Sequence, residues 1–542
     1  MATATATPEV FTRKASGLVR VMSPYSAFIY NILTMGLIFP WTYLWAPGAL
    51  PGGKLVWGIL LAMVIEIPIA FVYVWLSTAL PRSGGDYVFQ SRVFGGGVAF
   101  TVVMSGYVIW ILQWVALSGW LLSYLGFAPL FLGLGATMGS ASMSSIGVWF
   151  TTPTGIVITS IVNAAAAMGL LVSGFKNYVR FQYVMWYAIL LAFAVMLIVL
   201  FSATPGTAIP RIDAFAVASG GSPNFTATAS AAAEAAGVSL NPPFSLLATI
   251  LVAPIAWTSL QWATYSAQQN GEIKEARSFK NQVFIIVGSL IVTGLLLALL
   301  AMALERAVGT EFLYMAGSGY WAGVPEATIS GFWLWPNIIA VALTASPLIV
   351  LLIGVGYILN SFQIVNNCYI GMTRVMVAMS LDRLLPEWVS KVDDRLHTPV
   401  NAHLAYFVAS IPVILVYNLW GPWYALTLGV TFACGYVFVI TCLAGALLPY
   451  RAKEVYEASP GSKYNLGGVP LVTVLGLIGF VFGAVMVLMF MLYPALGLTS
   501  QLAYTVVFGV LVVSAVWYIL AKNAQKARGI NVEYAFKEIP PE

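Results

Sequence analysis

The chain has 542 residues, of which 60% are hydrophobic and only 8% charged, with a net charge of +5. A water-soluble domain carries about 25% charged residues, so a soluble globular protein is excluded. So small a positive excess gives no reason to expect nucleic acid as a partner.

Apolar runs of about 20 residues, each enough to cross about 30 Å of hydrocarbon, predict twelve spans starting near Pro24, Leu55, Ala99, Ser145, Tyr178, Phe244, Asn281, Phe332, Ala402, Trp423, Leu471 and Leu502. A backbone in lipid must satisfy its own hydrogen bonds, so each span is a helix and the fold an all-α integral membrane protein. With the N-terminus cytoplasmic, 21 of the 24 Lys and Arg residues, Arg13 and Lys14 among them, fall on the inner side; Lys54, Arg211 and Arg306 fall outside. That positive-inside pattern predicts a multi-pass protein of the cell membrane with both termini cytoplasmic. The chain divides into an N-terminal segment (1–22), five spans (23–201), an outer loop (202–242), five more spans (243–450), an inner loop with two last spans (451–521) and a tail (522–542). The polar first 22 residues show no cleavable signal peptide.

In chain order, span one carries Thr34-Met35-Gly36 and then Pro40 where regular helix is expected. Proline removes a backbone donor and clashes with the preceding turn, and broken backbone at membrane depth persists only beside a cavity or within protein. Span two holds Glu66, the one charge deep in an apolar run; an intramembrane carboxyl is a functional candidate by default. Tyr107 and Gln113 of span three are further candidates for the cavity. The Ala-, Ser- and Gly-rich outer loop 202–242 is predicted to be flexible, and its Asn224-Phe225-Thr226 matches a glycosylation acceptor motif short enough to arise by chance.

Span six repeats the interruption of span one, with Pro254 ahead of the polar stretch Trp257, Thr258, Gln261 and Trp262. Corresponding interruptions in two halves point to a transporter binding site, in which helix ends and unwound backbone hold the charged groups of a solute. A free amino acid fits that arrangement. The loop 308–331 is predicted to form an outer lid, and span eight offers Asn360, Ser361, Gln363, Asn366 and Asn367. The two histidines, His397 and His403, flank the inner end of span nine and read as interfacial residues. Cys368, Cys434 and Cys442 all fall in spans, where they read as small structural residues. No Cys/His cluster suits a metal, no cofactor is implied, and an enzyme is disfavoured.

Three motifs carry a family resemblance: Leu80-Pro81-Arg82-Ser83-Gly84-Gly85-Asp86-Tyr87 after span two, Asn270-Gly271-Glu272-Ile273-Lys274 at the inner end of span six, and Thr373-Arg374 through Leu381-Asp382-Arg383-Leu384-Leu385-Pro386 after span eight. The tail Ala535-Phe536-Lys537-Glu538-Ile539-Pro540 is similar to tails of prokaryotic, notably archaeal, members. The chain resembles the amino acid–polyamine–organocation superfamily from about Gly17 onward. That resemblance implies a leucine-transporter-like fold of two inverted five-helix repeats plus two further helices, with substrate held between spans one and six. It departs from the family where Thr34-Met35 precede the one remaining glycine of span one, and where Trp262 stands in place of a glycine and no gating carboxylate follows.

By the same resemblance, Phe175-Lys176-Asn177-Tyr178-Val179-Arg180-Phe181-Gln182 is similar to the start of helix five in sodium-independent members. There a Lys ammonium occupies roughly the place of a sodium ion between helices one and eight. Lys176, Glu66 and Asn366 are therefore the predicted coupling residues; Thr34, Met35, Gly36, Trp257, Thr258, Gln261 and Trp262 are the predicted substrate contacts. The sequence predicts a secondary active carrier of a neutral amino acid, proton-coupled or exchanging, in the lipid bilayer. An amine carrier, a channel and a non-transporting nutrient sensor stay open. A channel requires a continuous polar pore, and a sensor binds ligand without flux.

Overall fold

The computed structural model describes residues 17–537 except Phe39 and Thr499, and leaves the side chains of Tyr424, Ala425, Thr427, Leu428 and Val430 undescribed. Arg13 and Lys14, and Glu538, Ile539 and Pro540 of the tail motif, lie outside the described residues. Among the described residues, 11 helices are long and apolar enough to cross a membrane: Leu55–Ala79, Gly96–Met138, Pro153–Val172, Phe175–Phe201, Leu246–Glu272, Phe279–Trp321, Pro347–Leu381, Val400–Leu419, Thr431–Arg451, Leu471–Leu492 and Gln501–Ala527. They are spans two to twelve. Span one is two half-helices, Pro24–Met35 and Thr42–Ala49, each too short to cross alone.

Local chemistry sets the ends. The hydroxyls of Ser23, Thr152, Ser245 and Ser500 each accept a backbone N–H of the first turn of their helix, satisfying a donor that would otherwise be orphaned in lipid. Proline opens several helices, as Pro24, Pro153 and Pro347 do, where its missing N–H costs nothing. Those prolines also explain two displaced boundaries. Span four starts at Pro153 because a separate helix, Ala141–Trp149, precedes it. Span eight starts at Pro347, well beyond Phe332, because Trp335-Pro336 and Ser346-Pro347 cut off a short helix, Pro336–Ala342.

The outer loop corrects a second expectation. Residues 202–242 hold two helices, Pro205–Ala218 and Phe225–Ala235. Alanine is the strongest helix former, and Asp213 ties the second helix to the first by accepting from the Thr226 backbone and hydroxyl, both at 2.7 Å. The region expected as a lid is a helical continuation past a kink at Gly309, then a ribbon of Thr328–Ile329 paired antiparallel with Phe332–Trp333. In the bundle, span five packs along span eight, span two along spans six, seven and eleven, and span ten along span eleven.

Candidate functional site

The break in span one is set by backbone at Gly36. It ends the first half-helix with φ 78°, a left-handed conformation, and an added Cβ would meet nothing within 4 Å. The demand for glycine there is conformational rather than steric. Opposite, span six runs as regular helix through Pro254 to Leu260 and then tightens into a 3₁₀ helix, Gln261–Glu272. The interruption predicted at Pro254 therefore lies seven residues later, at Gln261. Runs of 3₁₀ helix this long are uncommon and mark strain or a hinge. The two spans are joined by side chain and backbone: Asn31 Nδ2 donates to Ser266 Oγ (3.0 Å), and Ser266 N–H donates to Asn31 Oδ1 (2.8 Å).

Between them lie two adjoining cavities of about 30 Å³ each. Thr34, Trp114, Trp262 and Ile364 line both; Ile111, Tyr265, Asn367 and Cys368 complete one, while Met35, Gly36, Trp41, Leu121, Thr258 and Ser259 complete the other. None of these side chains is charged. A cavity of that size has room for a water or two at roughly 10–15 Å³ each, whereas a ligand pocket takes about 300–1,000 Å³. Trp262 fills the middle, its ring against Trp114 (centroids 5.8 Å), Tyr265 (5.4 Å) and Tyr107 (6.0 Å). Span three brings Ile111 and Trp114 into place between two π-helical turns, Met104–Ile109 and Leu122–Phe127, a distortion found often at functional sites.

Of the predicted substrate contacts, Thr34, Met35, Gly36, Thr258 and Trp262 line the cavities. Trp257 and Gln261 do not. The Trp257 indole points away to donate to Glu66 Oε2 (2.5 Å), and Gln261 turns its amide onto the Thr258 carbonyl (3.4 Å). Asn367, rather than Asn366, reaches span one: its Nδ2 donates to Thr34 Oγ1 (2.6 Å), and its Oδ1 accepts from Tyr178 (3.0 Å) and Gln363 (2.6 Å). Asn366 caps its own helix carbonyl at Phe362.

The expected place of Lys176 is corrected as well. It is exposed, while Tyr178, Gln182, Met185 and Ile189 form the buried face of span five. Two residues along a helix turn the side chain by about 200°, so Tyr178 points inward where Lys176 was expected. A neutral cluster of Tyr178, Gln363, Asn367 and Thr34 thus joins spans five, eight and one. Gln113 is buried beside the site without lining it. Trp114, Tyr265, Ile364 and Cys368 were missed; only the helical offset of one residue from Gln113 and of three from Trp262 hinted at the first two.

The basic end of the bundle is closed by charge. Arg374 grips Glu272 with two bonds, Nε to Oε2 (2.7 Å) and Nη2 to Oε1 (2.9 Å), both side chains fully buried. Its Nη1 lies 3.2 Å from His403 Nε2, so His403 is a buried partner of this pair and not an interfacial residue. Arg92 pairs with Asp382 (2.9 Å), which also accepts from Tyr87 (2.9 Å). Asp86 accepts from Tyr73, from Thr441 (2.6 Å) and from Gln268 (2.5 Å). Its carboxyl is held above the ordinary value near 3.8 by burial, partly opposed by those three bonds. Gly84 and Gly85 make the close approach possible: both have positive φ (107° and 39°), and a Cβ on Gly85 would stand 2.4 Å from Gln268. The three sequence motifs therefore meet at one place.

The opposite end is closed by rings. Trp41 packs on Trp335 (4.9 Å) and Tyr320 (5.1 Å), Trp120 on Tyr124 (4.5 Å) and Trp333 (5.8 Å). Among the described residues no group of three His, Cys, Asp or Glu side chains is placed to hold a metal ion.

Two comparisons bear on this geometry. The chain is 31% identical over 102 residues to the uncharacterized protein 399 of Sulfolobus islandicus rod-shaped virus 1, a match covering 17% of this chain and about a quarter (26%) of that protein. The family model described as amino acid permease matches residues 25–513.

Proposed function

The chain belongs to the amino acid permease family, a family of transporters rather than enzymes, and on that premise we propose that it carries neutral, zwitterionic amino acids across the cell membrane by alternating access. The observation that carries this reading is the uncharged pair of cavities at the meeting of two interrupted spans. The C-terminal end of the first half-helix at Met35–Gly36 leaves carbonyls suited to an ammonium group. Trp114, Trp262, Tyr265, Ile111 and Ile364 offer an apolar surface to a side chain. No carboxylate lines the cavities, which disfavours a cargo with fixed positive charge.

The closed cavities correspond to a stage between the two open ones. Binding requires Trp262 to swing, and the 3₁₀ segment that carries it is the natural hinge. The two halves, 23–201 and 243–450, act as inverted repeats, with the basic end cytoplasmic as the Lys and Arg distribution indicates. Transport is driven by protons or by exchange. The exposed position of Lys176 gives it no support as the coupling residue.

The test is uptake of a mixed radiolabelled amino-acid pool into proteoliposomes, with an inward pH gradient and no sodium. Accumulation driven by the gradient supports a proton-coupled carrier, and flux that needs amino acid inside supports an exchanger. Absence of flux for every amino acid with folded protein overturns the cargo and favours an amine. Trp262→Ala is expected to shift preference toward larger side chains.

A further inference from the structure

Glu66 stands halfway along span two, fully buried, with its Oε2 accepting from the Trp257 indole at 2.5 Å. Among the described residues its Oε1 has no hydrogen-bond partner and no ion pair reaches it. A carboxylate left unpaired in hydrocarbon costs several kcal/mol. The surroundings offer little relief. Span six between Leu246 and Leu260 and span eleven between Leu471 and Leu492 hold no ionisable side chain, and from span ten the facing titratable group is the Cys442 thiol. Span seven meets span two where Gly294 lies against Met63, while its Glu305 interacts with Lys54 at the far end of span two. At the other end Glu272 is held by Arg374 in the basic closure, and Lys280 is exposed. A glutamine would accept the same indole bond; what only a carboxyl adds is a proton that can leave.

The carboxyl is also connected to the cavity. The Trp257 ring packs edge-on against Phe438 (centroids 6.2 Å), and Phe438 against Trp262 (5.9 Å), the ring that fills the cavities. Pro68 and Pro254 lie inside the continuous helices of both spans near this level, each removing one backbone donor, and helices bend most readily at such positions.

We propose that Glu66 is a proton-binding residue of this protein, and that its protonation is transmitted through Trp257 and Phe438 to Trp262. The second half of this proposal rests on the transport reading; the first does not. When the acid releases its proton, the resulting carboxylate keeps the indole bond but needs water or another donor at Oε1, so span six must move relative to span two. When it takes the proton up, the closed packing is restored.

Dicyclohexylcarbodiimide, which reacts with protonated carboxyls in apolar surroundings, tests the first half on the wild-type protein in lipid vesicles. Mass spectrometry is expected to find Glu66 modified, and less so as pH rises. Glu66 unmodified at every pH, or modified to the same degree throughout, overturns the assignment whatever the cargo is. The second half is tested by Glu66→Gln in proteoliposomes loaded with the amino acids that the wild type carries. Equilibrium exchange is expected to persist, gradient-driven accumulation to be lost and the pH profile of uptake to flatten; Glu66→Asp is expected to retain both. Wild-type accumulation and pH profile in Glu66→Gln would overturn the coupling role. If the wild type moves no amino acid, the transport reading fails while the carbodiimide result still decides the proton site.

Discussion

The two closures of the cavity are built from different chemistry. At the basic end, Glu272, Arg374 and His403, with Arg92, Asp382 and Asp86, form a buried polar lock. At the opposite end, Trp41, Trp120, Tyr124, Tyr320, Trp333 and Trp335 form a stack of rings. Ring packing involves no buried charge, with about 0.5–1.5 kcal/mol per aromatic pair beyond area burial, and it can be loosened one ring at a time. Buried charges behave otherwise: each is tolerable only with its partner, so the lock is all or none. The ring end is suited to graded opening and the basic end to a switch.

That contrast can be broken most sharply at Arg374. Arg374→Ala strands Glu272 in the bundle, and removing one partner of a buried pair costs about 3–5 kcal/mol. The variant is expected to be markedly less heat-stable, and to expose the cavity thiol of Cys368 to a membrane-impermeant thiol reagent from the basic side. Unchanged labelling would show that the pair does not hold this end shut. At the other closure, Trp333→Ala takes away the ring that packs on Trp41, Trp120, Tyr124 and Tyr320. By the aromatic-pair scale each pairing is worth about 0.5–1.5 kcal/mol, but Trp333 is only half-buried and its loss strands no charge, so Cys368 labelling from that side should rise by a smaller factor and heat stability should fall less.

A pH titration sharpens the comparison further. Burial holds the Asp86 carboxyl above its ordinary value near 3.8, so the closed basic end binds a proton that an opened, hydrated end would release. Closure is therefore fully favoured below that ordinary value and loses this contribution as pH rises through the raised one. Cys368 labelling from the basic side should rise across that window in wild type, and Asp86→Asn should remove the rise. The smallest effect is expected for Lys176→Ala, because an exposed substitution is usually within about ±0.5 kcal/mol. Uptake and its pH dependence should match wild type; loss of gradient-driven uptake would return Lys176 to the coupling site.

Spans and their order were legible because length and hydropathy are properties of whole segments. Span eight was displaced because Trp335-Pro336 and Ser346-Pro347 subdivide a continuous apolar run. The motifs were legible as landmarks, but their mutual contact was not: nothing in Gly271-Glu272 names Arg374 as the partner of that acid. Individual site residues failed by a single helical step. Adjacent helix positions differ by about 100°, so Asn366 and Asn367, or Gln113 and Trp114, are equivalent in composition and opposed in direction. Trp257 failed for another reason. Its partner, Glu66, is 191 residues away, and only the packing of spans two and six turns the indole from the cavity.

Met22 and Ile273 form a parallel bridge, with Met22 N–H on the Glu272 carbonyl (3.0 Å) and Lys274 N–H on the Met22 carbonyl (2.8 Å). The segment leading into span one is thereby stitched to the end of span six beside the residue that holds Arg374. In hydrogen–deuterium exchange the amides of Met22 and Lys274 should lose protection together, at the rate at which the basic end opens, so that this pair serves as a built-in clock for the conformational cycle.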